Sequence, residues 1–460
     1  MKSSESMASA LSPELMNAAR RCVELARKKG ADEAEAYVEN GRNLDVTARE
    51  GAVETVKQSE SMGLGLRVFQ GRKLGFGSTS DLRADRLEPF VERVLALAKV
   101  TAQDENNRLP AADDLRGGYA TQDTFDPEVA KLPMDWFVAR SIEVEKIAMA
   151  YDKRIKTMNS AGAGRYIASW GVVGSSGAEA SAASTYVWIV ASPYAEDENG
   201  AGQTGWAYDT RCHLGEMMSV DAIGREAGKR TVDMLGAQKI PSGNMPVVFH
   251  PEMTKGFMQG LIGALNGDLV FKKSSFLHDR LGQGIASPLV TIAEEPNRPR
   301  GTSSTPFDGE GVPTRNKTLV DKGTLTTFLY DTYTASKAGA KSTGNAARSY
   351  GSLPSIGTFN LRWTPGETKA ADLFAGIERG LFVTRMMGRG VNVVTGDYSR
   401  GAQGFLIEKG AITTPVQEIT VAAHMNDMMR AIDAVGDDLD TRGGTWAPSI
   451  RFGELTVSGK

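Results

Sequence analysis

The chain has 460 residues, of which 41% are hydrophobic and 24% charged, a composition typical of a globular protein and too apolar for a disordered one. The formal net charge of −3 argues against a nucleic-acid-binding surface over the whole chain. Two cysteines and four histidines exclude a disulfide scaffold and any cysteine-rich zinc or iron–sulfur module.

Neither an export signal nor a membrane span is predicted. The N-terminal residues 1–13 lack the continuous apolar segment of a secretory signal, and no stretch approaches about 18 consecutive apolar residues. We therefore expect a soluble, cytoplasmic protein in which Cys22 and Cys212 are reduced thiols.

Helical and strand-like periodicities alternate through the first half of the chain. A hydroxyl cap followed by proline predicts a helix over 12–30, ending at a glycine. Apolar residues then alternate with polar ones over 34–68, with glycines between the runs, which indicates an antiparallel meander of strands. Helical spacing returns over 82–103, and a polar surface connection is expected over 104–126.

A second α/β block is predicted over about 127–235. It contains helices over 134–151 and 220–235 and strands that include 165–173 and 186–191. Two prolines and a glycine interrupt 239–246, so we expect this segment to be irregular and to form the main domain boundary.

The C-terminal half is rich in glycine, serine and threonine and reads mainly as short strands. A strand over 247–249 and a helix over 251–266 are followed by strand-like pieces at 289–293, 324–330, 391–395, 404–408 and 418–422, with one helix at about 369–379.

The predicted fold class is α+β. The N-terminal α/β part has an antiparallel sheet with flanking helices, and the C-terminal domain is β-rich with few helices. Three units are expected, 1–110, 111–240 and 241–460, and the first two form either one domain or two.

None of the common catalytic motifs considered is complete in this sequence. His250 with Glu252 is the nearest approach to a metal motif, but no second histidine lies within a helical turn, and a histidine between a strand and a helix start is the better interpretation. The carboxylates at 437–440 are of the kind that bind a divalent cation, but their spacing does not match an EF-hand loop. We therefore expect an acidic turn at this position. The segment 334–344 partly matches the SxxK and KTG motifs of penicillin-binding enzymes, but threonine replaces the nucleophilic serine.

Four polar clusters in glycine-rich turns remain, at 272–275, 303–308, 341–345 and 395–400. Each cluster alone is more typical of a turn or a helix cap. Four of them in one domain suggest a shared groove.

At these clusters the sequence resembles the TldD/PmbA family, and within it the PmbA (TldE) branch. The resemblance covers about 12–459 and is most specific in the C-terminal half. The stretches that carry it are 273–282, 304–312, 333–346, 390–404, 415–420 and 436–439.

The resemblance implies a two-subunit, zinc-dependent peptide hydrolase of the bacterial and archaeal cytoplasm, a family with an old label as DNA-gyrase modulator. The TldD subunit carries a HExxxH helix and a cysteine near its C-terminus, and the PmbA subunit pairs with it around a channel that unfolded peptides enter as extended strands. The corresponding helix here, 251–266, contains no histidine, and no cysteine follows Cys212. No cofactor is therefore expected on this chain, and zinc is expected on the partner.

The leading hypothesis is a non-catalytic subunit that forms a heterodimer with a TldD-like zinc-bearing subunit and a homodimer when alone. Its substrates would be unfolded peptides, with no membrane and no direct nucleic-acid contact. One alternative is a standalone peptide- or protein-binding modulator, alone or as a homodimer, without hydrolysis. Another is an enzyme that uses an unrecognised carboxylate or serine site.

Eight polar side chains are predicted to face the shared cavity or the partner, and stabilisation of turns is their equally weighted alternative role. They are Ser274, Thr305, Asp308, Thr343, Asn345, Asp397, Tyr398 and Arg400.

Overall fold

A computed structural model of the chain describes residues 11–388 and 390–460. Most of the N-terminal stretch used for the export-signal prediction lies outside these residues. The helices are α1 Pro13–Lys28, α2 Ala84–Val100, α3 Pro127–Lys131, α4 Met134–Ala150, α5 Val220–Val232, α6 Pro251–Gly263, α7 Gly267–Phe271, α8 Thr332–Ala338 and α9 Met425–Arg430.

The strands are more numerous than the helices. They are β1 Glu33–Arg49, β2 Ala52–Gln70, β3 Lys73–Thr79, β4 Ile155–Gly174, β5 Glu179–Glu196, β6 Gly202–Thr204, β7 Ala207–Arg211, β8 Gly243–Phe249, β9 Ile292–Glu294, β10 Lys317–Asp321, β11 Thr324–Leu325, β12 Ala346–Ala347, β13 Ser355–Ile356, β14 Leu361–Trp363, β15 Arg379–Met387, β16 Asp397–Glu408, β17 Ala411–His424, β18 Ile432–Val435, β19 Thr445–Trp446 and β20 Ile450–Ser458.

The N-terminal half is built on one antiparallel sheet. Its strand order is β3-β2-β1-β4-β5-β6, with β7 also paired to β5. Because β1 pairs with both β2 and β4, this sheet spans the predicted units 1–110 and 111–240. The long β1–β2 hairpin confirms the predicted meander, and the surface connection over 104–126 precedes the second set of helices.

The helices of this half cover one face of the sheet. Side chains alternate along a strand, so the even-numbered residues of β1 share a face. Ala34 and Val38 pack in a cluster with α1 and α2, and Leu44 and Val46 pack in a second cluster with α4 and α5. The opposite face of β1 is left to contact the C-terminal half.

A buried charged cluster, here called the interface cluster, joins that opposite face to the C-terminal half. Arg67 on β2 lies 3.0 Å from Glu35 on β1 and 2.8 Å from Glu310. Arg348 pairs with the other oxygen of Glu35, and its guanidinium lies 5.1 Å from the ring centre of Tyr37. The side chains of Arg67, Glu35, Glu310 and Arg348 are at most 5% exposed. Charges buried in this way are tolerated only because each has a partner.

The C-terminal half contains a nearly closed ring of strands. The order β17-β16-β15-β8-β20-β18 is closed by an additional pairing of β17 with β20. Phe257 of α6 packs edge-on against Phe249, Tyr398 and Phe452, with ring centres 5.5–5.9 Å apart. This aromatic contact fixes α6 against three strands of the ring. A five-stranded sheet, β11-β10-β9-β14-β19, and the β12–β13 pair complete this half.

The predicted α+β class is confirmed, and so are the helices near 12–30, 82–103, 134–151, 220–235 and 251–266. The irregular boundary at 239–246 is wrong in its second half, since β8 begins at Gly243 and includes Pro246. The proline fits because β20 pairs with Met245 and Val247 through a register shift, and β15 pairs only from Val247 onward.

Several predictions in the C-terminal half are also wrong. The expected helix at 369–379 is a short 3-10 turn, Ala370–Phe374, followed directly by β15. The strand-like piece at 391–395 is a turn in which the Gly396 N–H donates to the Asn392 carbonyl. The strands predicted at 289–293 and 324–330 are shorter in the structure, where only β9 and β11 form in these regions. Helices α7 and α8 were not predicted, because segments this short have little periodicity to detect.

Within the described ranges, no helix combines the length and the apolar character needed to cross a membrane.

Candidate functional site

A cavity of about 450 Å³ lies between β7 of the N-terminal sheet and α6 of the C-terminal half. This volume is within the usual range for small-molecule and cofactor sites. Its lining residues are Trp206, Tyr208, Glu252, Met253, Lys255, Gly256, Gln259, Met386, Arg400, Arg442, Gly443, Gly444 and Thr445. We call this space the α6 cavity.

Helix α6 is positioned by the residues at its start. His250 directly follows β8 and caps the helix, because its Nδ1 accepts the Glu252 N–H at 3.3 Å, and Pro251 occupies the first helical position. Burial lowers the pKa of His250 to about 3, so its ring stays neutral and keeps the acceptor that the cap needs. The prediction that this histidine connects a strand to a helix is confirmed.

Two glycines of α6 let other segments approach the helix closely. A Cβ added at Gly256 would lie 3.4 Å from Nη1 of Arg400, and one added at Gly260 would lie 2.7 Å from Cγ2 of Val391. Glycine in a helix interior is less stable than alanine by about 0.5–1 kcal/mol. These two glycines therefore weaken the helix but let neighbouring side chains approach it closely. The arginine on β16 is thereby held beside α6.

Arg442 is the centre of an ionic network on the cavity wall. Its guanidinium contacts Asp440 at 2.6 Å, Glu226 at 3.1 Å and Glu252 at 3.2 Å. Asp440 also pairs with Lys255 at 3.0 Å. Although burial raises it, hydrogen bonding and the nearby positive charges hold the pKa of Asp440 well below its usual range. All three carboxylates are therefore paired with cations, and Asp440 is ionised at neutral pH.

Arg400 differs from these neighbours. It forms no ion pair with any residue in the described part of the chain, and its Nε is buried without a hydrogen-bond partner. The cavity lining thus contains three cations, Lys255, Arg400 and Arg442, against one carboxylate, Glu252. The site carries an unbalanced positive charge at Arg400.

The residues around α6 do not fit a zinc ion. Zinc needs typically three or four donors from neutral histidine, thiolate or free carboxylate. Glu252 is instead paired with Arg230 and Arg442, and Lys255 adds another positive charge beside it. Across 11–388 and 390–460 no group of three or more histidine, cysteine or acidic side chains converges on a possible metal position.

The two cysteines are free, as predicted, and both are buried. Burial raises the pKa of both Cys22 and Cys212 to about 12, so neither thiol is ionised at neutral pH. The acidic run at 437–440 is a turn whose carboxylates diverge: Asp437 pairs with Lys369, and Asp438 accepts hydrogen bonds from Ser449.

Four of the eight predicted site residues meet at one place away from the α6 cavity. Asp308 is buried and accepts the N–H groups of Glu310, Val312 and Ala346, which ties its own turn to the segment at 343–346. Burial, and then the charge of Glu310, raise the pKa of Asp308 well above its usual value. The Thr305 hydroxyl donates to the Phe307 carbonyl within the same turn.

The other two members of this group also make internal hydrogen bonds. Asn345 is fully buried and donates to both oxygens of Glu294, while its own side-chain oxygen accepts from Lys317 and Thr343. Thr343 additionally accepts the Tyr330 N–H at 2.7 Å. All four residues therefore make hydrogen bonds that stabilise turns.

Of the remaining four, Ser274 lies in the turn after α7, and Asp397, Tyr398 and Arg400 lie at the start of β16. Ser274 is half-buried in a turn, and the Thr395 hydroxyl donates to the exposed carboxylate of Asp397. Tyr398 is buried against Phe257, with burial raising its pKa to about 12. Arg400 alone among the eight lines the α6 cavity. Whether the other seven also border a partner stays a prediction.

Most of the residues that line the α6 cavity were not predicted from the sequence. Trp206 and Tyr208 come from the N-terminal block, and Lys255 from the helix. The sequence feature that best indicates this cavity is Arg442-Gly443-Gly444-Thr445, which is a polar glycine-rich turn like the four polar clusters described above.

Three segments of the chain match models of PmbA/TldA metallopeptidases. Domain 1 matches 34–98, the central domain 127–235 and the C-terminal domain 242–459. The chain belongs to the TldD/PmbA family.

Relatives of this TldD/PmbA chain place it in the predicted PmbA branch. It is 33% identical over 459 residues to a metalloprotease PmbA homolog of Haemophilus influenzae, covering 100% of this chain and 99% of that protein. It is 32% identical over 448 residues to metalloprotease PmbA of Escherichia coli, covering 97% and 96% respectively.

Solved structures of the family share the fold. A Bacteroides thetaiotaomicron protein described as a candidate modulator of DNA gyrase superposes with a TM-score of 0.90 at 28% identity, over 98% of this chain and 100% of that one. TldE of Thermococcus kodakarensis superposes with a TM-score of 0.87 at 21% identity, over 96% and 100%. At that identity the second comparison concerns the fold alone.

Proposed function

We propose that this chain is the non-catalytic subunit of a cytoplasmic zinc-dependent peptidase complex of the TldD/TldE type. A TldD-like partner would carry the zinc, and this chain would form part of the chamber that receives unfolded peptides. The observation that carries the proposal is the donor set of α6, which presents Glu252, Lys255 and Gln259 to the cavity and contains no histidine.

The chemistry of peptide hydrolysis explains why this donor set matters. Water must be activated to attack a peptide at neutral pH, and a zinc hydrolase does this by lowering the pKa of a metal-bound water. Glu252 is the one carboxylate among the described lining residues, and it is neutralised by two arginines, while Lys255 would repel a divalent cation. A chain of this kind contributes shape and binding to a complex, and the partner contributes the reaction.

A second candidate function is a peptide-binding modulator that acts without a partner or hydrolysis. It is favoured by the α6 cavity itself, which residues of this one chain line. Co-purification from the native host separates the two candidates. A TldD-like protein retained with this chain supports the complex, and its absence supports the modulator.

The decisive experiment measures zinc content and peptide cleavage with and without the partner. We expect the purified chain to hold substoichiometric zinc and to leave heat-denatured casein intact, and we expect cleavage to appear when the TldD-like protein of the same genome is added. A partner with the glutamate of its HExxxH motif replaced is the matched control and should give no cleavage. Stoichiometric zinc on this chain alone, or chelator-resistant cleavage by it, would refute the proposal.

The contribution of this chain to the complex is tested by substitution at the cavity. Arg400→Ala should lower the rate of cleavage by the assembled complex, whereas Arg379→Ala, an exposed arginine on the neighbouring strand β15, should not. Equal rates for both variants in an intact complex would show that the α6 cavity takes no part in peptide handling.

A further inference from the structure

We propose that the α6 cavity binds the carboxylate of a peptide, with Arg400 as the anchoring cation. The peptide as ligand rests on the proposed function, but the carboxylate preference follows from the cavity itself. The inference assigns this chain a specific binding site rather than a passive share of a chamber wall.

The charge balance identifies Arg400 as the anchor. Arg442 and Lys255 are already paired with Asp440, and Glu252 is held by Arg442. Arg400 is the cavity cation that has no ion pair within the described ranges, and its buried Nε has no acceptor. A partly buried guanidinium without an anion is costly, and a bound carboxylate would remove that cost.

The shape of the guanidinium fits a carboxylate. Arginine offers donors in a planar fork that matches the two oxygens of a carboxylate. The group lies over Gly256, where the missing side chain leaves room beside α6. Thr445 accepts a hydrogen bond from Gln259 at 3.3 Å, which leaves its hydroxyl proton free to donate toward the cavity.

The rest of the lining suits the apolar part of a peptide. Trp206 and Tyr208 are stacked, with ring centres 5.2 Å apart and planes inclined by 10°. Met253 and Met386 add flexible, polarizable side chains. An aromatic or aliphatic side chain next to the bound carboxylate would pack on this wall.

The same features disfavour a phosphate. A phosphate group carries up to two charges and binds best among several free donors and cations. Here one arginine is free, and the carboxylate of Glu252 lines the same cavity. A singly charged carboxylate matches one unpaired guanidinium.

The test is a fluorescence-anisotropy titration of the full chain alone, with three peptides labelled at the N-terminus with an uncharged BODIPY dye that has no free carboxylate. The first, Gly-Ser-Ala-Gly-Ala-Phe, has a free C-terminal carboxylate. The second is its C-terminal amide, and the third is an amide with Glu in place of the last Ala. We expect the free acid to bind at least about tenfold more tightly than the plain amide, since a charged hydrogen bond contributes roughly 1.5–3 kcal/mol and 1.4 kcal/mol is tenfold.

Variants then locate the site. Arg400→Ala should abolish the difference between acid and amide, while Arg379→Ala, which removes an equal charge from an exposed position on β15, should preserve it. Trp206→Ala should weaken acid and amide alike, because it removes apolar contact and not charge.

The third peptide separates the two sources of the carboxylate. Tight binding of the Glu-containing amide supports an acidic side chain as ligand, and weak binding supports the C-terminus. Equal affinity of all three peptides, or a preference for a carboxylate that survives Arg400→Ala, would overturn the inference, as would failure of all three peptides to bind. Since no partner and no cleavage enter this assay, its outcome is independent of the zinc and activity measurements.

Discussion

The interface cluster and the α6 cavity contain similar charged residues in different settings. In the interface cluster two arginines and two glutamates are each at most 5% exposed and are paired with one another. At the α6 cavity Arg442 and its carboxylates are paired, but Arg400 beside them is not. In the first arrangement every charged group has an ion-pair partner, although three guanidinium nitrogens of Arg67 and Arg348 lack a hydrogen-bond acceptor. In the second, Arg400 has no ion-pair partner among the described residues.

This difference separates structural from binding roles better than residue type does. A buried ion pair whose members satisfy one another holds two parts of a fold in register, whereas removal of either member leaves an uncompensated charge. A cation that faces a cavity without a partner contributes little to stability. The following predictions test whether the two settings behave differently.

The largest effect is expected at the interface cluster. Glu35→Ala leaves both Arg67 and Arg348 without this partner, and it should lower the free energy of unfolding by about 3–5 kcal/mol. Urea denaturation measures this change. Glu60→Ala, which breaks an exposed pair with Arg42, is the control and should unfold like the wild type. Wild-type stability for Glu35→Ala would contradict a structural role, and Glu35→Gln gives a milder variant if the alanine protein fails to fold.

A smaller effect is expected at Arg442, which also holds several carboxylates but borders a cavity that water can enter. Arg442→Met should lower the free energy of unfolding by about 2 kcal/mol, because solvent partly compensates Asp440 and Glu226. The same urea titration, with Arg379→Met as the control, measures it. A loss as large as that of Glu35→Ala would show that the two settings do not differ.

The pH dependence of stability should reveal the buried cap of α6. His250 has a folded-state pKa of about 3 against about 6.5 when unfolded, so the unfolded state binds more protons between these values and stability falls with falling pH. Between pH 7 and pH 5 this histidine should account for a loss of about 2 kcal/mol. His250→Asn keeps a capping acceptor but has no group that titrates in this range. Its free energy of unfolding should therefore fall by about 2 kcal/mol less than that of the wild type between pH 7 and pH 5.

Unfolding curves at pH 7, 6 and 5 test this expectation. Asp440, whose folded-state pKa is lowered, affects the pH dependence of stability only below about pH 4, where its carboxyl in the unfolded state becomes protonated. It therefore does not contribute between pH 7 and pH 5. Parallel pH profiles for the wild type and His250→Asn would mean that the histidine is not buried as described.

The smallest effect on stability is expected at Arg400 itself. Arg400→Met breaks no ion pair within the described residues and removes a partly buried guanidinium that has no anion, so it should not lower the free energy of unfolding, even though it should remove the carboxylate preference of the cavity. Thermal unfolding and the peptide titration on the same protein measure both quantities. A strongly destabilised Arg400→Met would place this residue with the interface cluster instead.

The elements that the sequence predicted well are those with a long local repeat. Helices α1 and α4 and the strands of the first sheet follow apolar periodicities over ten or more residues. The failures are short or set by distant partners. The 3-10 turn Ala370–Phe374 has helical apolar spacing but is followed at once by β15, whose pairing with β8 and β16 comes from elsewhere in the chain.

The candidate site shows the same limit. The polar turns were recognisable, but Asp308 and Asn345 satisfy buried backbone and side-chain groups, while only Arg400 reaches the α6 cavity. Nothing local in the sequence distinguishes these three residues. Their roles depend on which acceptors the fold brings near them.

Periodicity, composition and motif content were sufficient to assign the α+β class, the TldD/PmbA family and the absence of histidine from α6, because each is a property of contiguous residues. The pairing of charges required the folded chain. Arg442 meets Glu226 across 216 residues of sequence, and Arg348 meets Glu35 across 313. Burial and neutralisation are set by such distant contacts, and they leave Arg400 as the free cation among the described cavity residues.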